Sequence, residues 1–347
     1  MTEVPQDAAR DEAVDTPAEK KAKKRVFVRG IESGTYVLDA PLQERLSAPR
    51  VRGHDFVAAD AGIGTMGSNK TAPPKSLLSP GDKPFLSQSL HVHTVPIPPH
   101  DSNGGHAHQN DASFYIVEGA GYEVHDDKRY EWSQGDVVLV HNDSVHQHFN
   151  PYDEPAMTLV IKAKPTFMFL GLTAQGRETP AEKLEGFGPR EDWSQLWTPG
   201  AGELKKIIKG SELEWQSTPY GTLKQFTGPQ TDARTFSVDI AELQIEAGGH
   251  SGRRWQMADE VCYVLEGSGY SLHWEVRAEF AEKYYAHVAL EPTRHDFTTG
   301  QLLYIPPNTV AQHFAADGSP LRLLSGQSRV FRNLGYDNTV FLEKASG

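Results

Sequence analysis

The chain has 347 residues, 38% of them hydrophobic and 10% aromatic, which excludes a wholly disordered protein and leaves room for about two domains. Lys and Arg number 34 against 46 Asp and Glu, and the net charge of −12 argues against a generic nucleic-acid binder, which needs a basic face for phosphates. A single cysteine, Cys262, excludes a disulfide framework and a cysteine-rich zinc site within one chain.

No apolar run reaches the ~18 residues of a membrane span, and the N-terminus lacks the apolar stretch of a secretory signal. The expected setting is the cytoplasm, with no membrane and no nucleic acid as partners. Residues 1–24 are polar and are expected to be a disordered tail. Its cluster of Lys20, Lys21, Lys23 and Lys24 reads as a solvated segment ahead of a localisation signal or polyanion contact. An N-terminal arm follows over 25–84.

Between 85 and 172 the chain breaks into short β-branched and aromatic runs punctuated by Gly, Asn, Asp and Pro: "SLHVHTV", "SFYIVEGAGYEVH", "GDVVLVH". Residues 173–235 are polar, rich in Pro and Gly and partly helical in pattern ("AGELKKIIKGSELEW"), and are expected to connect two domains. Strand runs return over 236–347, as in "EVCYVLEGSGYSLHWEV" and "GQLLYIPPNTVAQHF". The two strand-rich regions read as copies. "FYIVEGAGYEVH" lies over "CYVLEGSGYSLH", and "GDVVLVHNDSVHQHF" over "GQLLYIPPNTVAQHF" without a gap. The second copy carries an insertion around Phe280–Asp296.

Nine of the fifteen histidines fall between 91 and 148. Side chains at i and i+2 of a strand share a face, so His106 pairs with His108 and His146 with His148. Two such pairs on adjacent strands can converge on one ion, and imidazole suits Fe, Zn, Cu and Ni. A lone His-x-His would read as a polar surface pair; a second pair behind a Gly-Asp turn favours a metal.

"HAHQNDASFYIVEGAG" followed by "GDVVLVHNDSVHQHFN" resembles the two cupin motifs, and the repeat makes the chain similar to a bicupin. The resemblance covers roughly 85–165 and 236–325. It implies an all-β fold of two cupin barrels, of the double-stranded β-helix or jelly-roll type, with a partly helical connection. His106 and His108 match the ligands of the first motif; Gly135, His141, His146 and Asn150 match the second. Where most metal cupins carry a ligating Glu, this chain has Ala112, so the expected site is His106, His108 and His146. That pattern is similar to the gentisate/salicylate ring-cleaving dioxygenases.

The resemblance implies an Fe(II)-dependent dioxygenase that cleaves the ring of a hydroxylated aromatic with O₂ (gentisate-, salicylate- or hydroquinone-like), and partners limited to that substrate and O₂. Homo-oligomeric assembly is also expected. Three neutral histidines leave about half of an octahedral shell open for substrate and O₂. Two departures stand out. Val145 replaces the family's usual Trp, and Phe114 stands where the family has an Arg for the substrate carboxylate. His148 is the expected acid/base and Asn110 a hydrogen-bonding partner on the ligand face. Phe114 is expected to form an apolar wall, with His91 and His93 as further substrate contacts of undetermined orientation.

In the second copy Arg254, Gln256, Glu260 and Ala311 fall at the positions of His106, His108, Ala112 and His146, and only His313 survives, as the partner of His148. A guanidinium has no free lone pair, so one metal per chain is expected, with Arg254 and Glu260 pairing instead. Cys262 reads as a buried strand residue. Two other classes compete: a metal cupin acting as hydrolase, isomerase or decarboxylase, and a non-enzymatic small-molecule-binding bicupin.

Overall fold

The computed structural model describes residues 48–52, 75–79, 87, 89–125, 127–142, 144–172, 175–176, 184–192, 204–231, 233 and 237–346. All belong to one compact unit, Glu44–Gly347. The expected tail over 1–24 and most of the arm over 25–84 lie outside these residues.

Two barrels, each built from two antiparallel sheets, account for most of the described strands, and a fifth, two-stranded sheet pairs Gln175–Gly176 with Ala107–His108. The large sheet of the first runs, in spatial order, Ile207–Ile208, Val137–Val140, Ala112–Glu118, Ala156–Lys162, His91–Ile97 and Lys75–Leu78. Its small sheet runs Asp101–Ser102, His146–Asn150, Ala120–His125 and Lys128–Ser133. The second barrel repeats the plan around the central strands Leu302–Ile305, Glu260–Glu266, Leu321–Ser328 and Val238–Ile245. Its smaller sheet holds Ser268–Phe280, Thr309–Ala315 and Arg253–Gln256.

Strand alternation sorts the side chains of each large sheet between two cores. Ala112, Phe114 and Ile116 point into the first barrel with Val95, Ile97, Val138 and Val160. Their alternates Tyr115, Leu139, Leu159 and Ile161 join Val238, Val261, Tyr304 and Leu324 of the second barrel in one shared cluster. Both faces are therefore dry, which is why these strands read as continuous apolar runs rather than alternating ones. Gly326 admits Ile161 at this interface: a Cβ there would sit 2.9 Å from Ile161 Cδ1. Polar pairs also cross it. Tyr115 Oη donates to Glu242 Oε1 at 2.7 Å, and Asp259 accepts from Ser87 Oγ at 3.0 Å.

The duplication is physical as well as textual. Gly119 and Gly267 hold left-handed φ of 80° and 86° at equivalent turns. Two residues on, a Cβ at Gly121 or Gly269 would meet the Phe149 or Phe314 carbonyl at 2.2 or 2.0 Å. Tyr122 stacks on Phe149 at 4.9 Å, as Tyr270 does on Phe314 at 4.7 Å. Arg129 and Arg294 cap these tyrosines at 3.6 and 3.7 Å. The insertion of the second copy is a hairpin: Ser268–Phe280 runs on past the sheet and pairs with the exposed strand Tyr284–Val288.

The described part of the connection is held by strand pairing. Ile207–Ile208 pairs with Val137 and Val138 of the first barrel, and Gly221–Thr227 pairs with Val238–Ile245 of the second. Among the described residues there, a short 3₁₀ turn, Gly210–Glu212, is helical. Asp136 explains the outcome: it accepts the Gly210 amide at 3.1 Å and pairs with Lys209 Nζ at 2.7 Å. Edge pairing and these tertiary bonds outweigh local helix propensity, which is a weak preference. No described helix is long and apolar enough to cross a membrane. Cys262 is buried in its strand, and burial pushes its thiol pKa up, as suits a packing residue.

Candidate metal centre

The loop and short strand Ala107–His108 bring the first histidine pair to the start of His146–Asn150. His106 and His146 form an antiparallel bridge, each amide donating to the other's carbonyl at 3.0 and 2.9 Å. Their ring centroids lie 4.4 Å apart, and His108 is 5.4 Å from the first and 5.0 Å from the second. One ring nitrogen from each of the three falls within 4.8 Å of the others. No other such group of three occurs among the described residues.

Backbone carbonyls fix the tautomers. Nδ1 of His106 donates to Gly104 O at 2.7 Å, Nδ1 of His108 to Asn110 O at 2.5 Å, and Nδ1 of His146 to Ser144 O at 3.2 Å. A carbonyl only accepts, so each Nδ1 carries the proton and each Nε2 keeps its lone pair. This is the outer support that metal-bound histidines use. Nε2 of His146 is buried with no hydrogen-bond partner, a position that asks for a ligand. Burial, with Lys162 and neighbouring rings adding to it, lowers the pKa of His108; burial and the other rings lower that of His146. Neutral imidazole is the metal-binding form. The donor set therefore fits a divalent metal of the imidazole-preferring group.

The other expected site residues fall as follows. Phe114 packs on the site, its ring 4.4 Å from His148 and 6.3 Å from His146. His91 and His93 point inward on the face that carries Val95 and Ile97, and their rings are 4.9 Å apart. His93 lies close enough to His108 for the two charges to interact. Asn110 departs from expectation. Residues 109–110 form a bend, so the alternation from His108 does not carry through. Its side-chain amide donates to Asp111 O at 3.0 Å, and its own carbonyl positions His108. Asn110 thus supports a histidine through its backbone. His148 sits on the site, but burial, with His106 adding to it, drops its pKa to about 3. A solvent-exposed imidazole would sit at about 6.5. The ring is neutral at physiological pH, with both nitrogens unpartnered.

Two residues escaped the sequence reading. His125 lies one strand across, paired in register with His146. Lys162 ends the apolar run "MTLVIK" in register with His91. Alternation from Thr158 and Val160 was the available signal for it, a cation on the inner face of a buried strand.

The second barrel keeps the geometry and replaces the chemistry. Arg254 is the register partner of Ala311, as His106 is of His146. Arg254 Nη2 pairs with Glu260 Oε2 at 2.7 Å, Gln256 donates to the same oxygen at 2.9 Å, and Ser325 donates to Oε1. The guanidinium also stacks on Tyr220 at 3.4 Å.

Buried histidines outside the triad set an acid limit on stability. Burial lowers His141 and His313 to about 4 each. Both rings would take up a proton near 6.5 once unfolded, so below that pH the unfolded chain binds more protons and stability falls. The loss begins just under 6.5 and ends near 4, where the folded rings protonate. Each ring then adds a slope of about 1.4 kcal/mol per pH unit. Urea denaturation of metal-free protein between about pH 7 and about pH 4.5 should show this fall. A His141→Gln, His313→Gln double variant should make the fall shallower by these two contributions, the other buried histidines supplying the rest; an unchanged slope would refute the assignment.

Fold and triad together define a two-barrel cupin whose first barrel carries a candidate metal centre and whose second does not. The Cupin domain family matches residues 93–162, the segment that holds all three triad histidines. The structure is similar to salicylate 1,2-dioxygenase from Pseudoaminobacter salicylatoxidans with bound gentisate: TM-score 0.61, 14% identity, covering 96% of each chain. A point mutant of that enzyme in complex with gentisate gives 0.60 at 14% identity, covering 97% of this chain and 98% of the other. A further mutant structure gives 0.56 at 16% identity, covering 78% and 81%. The resemblance read from the motifs is thus met at the level of the fold. No curated protein matches the chain by sequence.

Proposed function

We propose that this protein is a non-haem Fe(II)-dependent dioxygenase that cleaves the ring of a hydroxylated aromatic compound with O₂. The observation that carries the reading is the all-histidine triad, with each Nδ1 bound to a carbonyl and Nε2 left to coordinate. Three neutral donors without a carboxylate leave a divalent ion its full charge, which favours an anionic phenolic ligand. Iron held there would supply Lewis acidity to the phenolic oxygen and a path for electrons from the substrate ring to O₂. The similarity to gentisate-bound salicylate dioxygenase structures points to the same substrate class.

The chain's own residues prepare the pocket. Phe114 offers a ring face for an aromatic substrate beside His148. His148, neutral and unpartnered, presents one donor and one acceptor to a substrate oxygen. The buried barrel wall of Val95, Ile116 and Val160 excludes water. The test is metal analysis of purified protein, with oxygen uptake across a panel of hydroxylated aromatics. One iron per chain and substrate-dependent uptake with loss of ring absorbance are expected. Iron-loaded protein that consumes no O₂ with any of the panel overturns the reading.

His148→Ala should keep the metal and lower kcat by roughly 10²-fold, the scale of a lost hydrogen bond to developing charge. Loss of the metal would make His148 a ligand; unchanged turnover would make it structural.

A further inference from the structure

The strand Ser268–Phe280 outruns its sheet. Its first part is paired on both edges, with Thr309–Ala315 and Thr293–Thr298. From Val276 on, its one partner among the described residues is Tyr284–Val288, in unbroken register from Val276 and Val288 to Phe280 and Tyr284. Alternation sorts this two-stranded ribbon into unlike faces. One face holds Arg277, Glu279, Tyr285 and His287. There His287 Nε2 pairs with Glu279 at 2.5 Å, Arg277 pairs with Glu275 at 3.1 Å, and Tyr285 donates to Glu282. The other face holds Ala278, Tyr284, Ala286 and Val288 and carries no charge. Such sorting is the pattern of a sheet with one face buried. Yet Tyr284 is 56% and Val288 40% exposed. A ribbon of two strands has little stability of its own, and its bare apolar face marks a contact surface.

The apolar face continues onto the barrel. Trp274, Val276 and Val310 form a cluster there, with Trp255 and Leu272 packed against it. The cluster lies on the outside of the barrel, since Ala311 and Ala315 belong to the inner core and Val310 alternates with them. Trp255 Nε1 donates to Asn308 Oδ1 at 2.9 Å, so its polar atom is satisfied within the chain. The first copy is built differently. Its strand Ala120–His125 turns after His125 and pairs at once with Lys128–Ser133. Ala107 and Asp126 stand at the positions of Trp255 and Trp274. Closing the barrel therefore requires neither the ribbon nor the two tryptophans.

We propose that this face is a homodimer interface, on which a second copy of the chain lays the same face about a two-fold axis. Charge favours that occupant. A chain of net charge −12 is repelled by nucleic acid and by anionic lipid alike. Arg253, the cation at the margin of the face, lies over Trp274 at 5.3 Å and is balanced by Glu343 at 3.8 Å. Two copies meeting there bring no unbalanced charge together, so the face is its own complement, as an isologous contact requires. Along the strand the apolar stripe from Leu272 to Phe280 is about 30 Å long at about 3.4 Å per residue, comparable with the breadth of a standard interface of about 800 Å² per partner. The inference stands apart from the dioxygenase reading and does not depend on it.

The experiment is sedimentation velocity of the full chain at micromolar concentration. Wild type is expected to sediment as a dimer or as an assembly of dimers. The double variant Tyr284→Lys, Val288→Lys should show half that mass, its dissociation constant raised at least ~100-fold by like charges across the closed face. Tyr284→Glu, Val288→Glu should halve the mass as well. An equimolar mixture of the two double variants should restore it, because opposite charges then face one another. Tyr285→Lys, on the other face of the same ribbon, should leave the mass unchanged. Metal content and near-UV circular dichroism verify that the variants are folded. Wild type at monomer mass overturns the proposal, and its pelleting with phosphatidylcholine vesicles would then assign the face to a lipid surface. A lysine variant at the wild-type mass overturns it too, as does a mixture that stays at half mass or a Tyr285→Lys protein that dissociates equally.

Discussion

A His106→Ala protein is expected to fold and to lose its metal, from one ion per chain to nearly none. The His106 ring lies 4.4 Å from His146 and 5.4 Å from His108. Its contribution to the fold is modest: the bridge to His146 is made by backbone atoms, which alanine keeps. One side-chain hydrogen bond, to Gly104, is lost, worth about 1 kcal/mol. The metal loses one of three protein donors. Removing outer support alone weakens binding 10–100-fold, so loss of a ligand should exceed ~10²-fold. Elemental analysis after dialysis against a weak chelator measures the difference. His313→Ala is the control, since the second barrel offers no triad and its metal content should match wild type. Full metal in His106→Ala, or two metals per wild-type chain, would refute the single three-histidine site.

The second large effect concerns stability. Arg254→Met should destabilise the protein by about 3–5 kcal/mol, because it strands a fully buried carboxylate. Glu260 has no exposed surface, and its lowered pKa is sustained against burial chiefly by Arg254, with Ser325 helping. Without the guanidinium, Gln256, Ser325 and the Cys262 thiol remain as its hydrogen-bond partners, beside a neutral His313. The double variant Arg254→Met, Glu260→Gln removes both charges and should recover most of the loss. Denaturant unfolding of the three proteins gives the coupling directly. Metal content should stay at the wild-type level throughout, since the pair belongs to the other barrel. A single variant as stable as wild type would mean that the pair contributes little and that water reaches Glu260.

Much of the site was legible before folding was considered. The pairs His106/His108 and His146/His148 follow from strand periodicity, and the resemblance to the cupin motifs singles out His106, His108 and His146 among them. The loss of the site in the second copy was also legible: Arg254 and Gln256, counted back from the shared Glu-Gly turn, and Ala311, in the second ungapped segment, fall at the matched positions. Asn110 was misplaced because alternation holds only where the strand is continuous, and the chain bends at 109–110. The acid/base argument for His148 used a solvent pKa, and burial inside the barrel moved it to about 3. The strand pairing of Ile207–Ile208 was not legible, because Asp136 and the sheet edge that capture this segment lie far from it in sequence.

The sequence by itself determined the strand-rich class, the duplication and the identity of the candidate ligands, since these depend on local period and on residues close along the chain. Tertiary structure alone decided which face of each strand meets the barrel interior and which meets the other barrel. Both faces are apolar, so hydrophobic pattern could not distinguish them; only the pairing register does. That register turns Lys162 inward beside Ala112 and brings a cation from residue 162 into the neighbourhood of ligands at 106, 108 and 146. Such a meeting is set by hydrogen bonds between strands distant in sequence, and no local spacing encodes it.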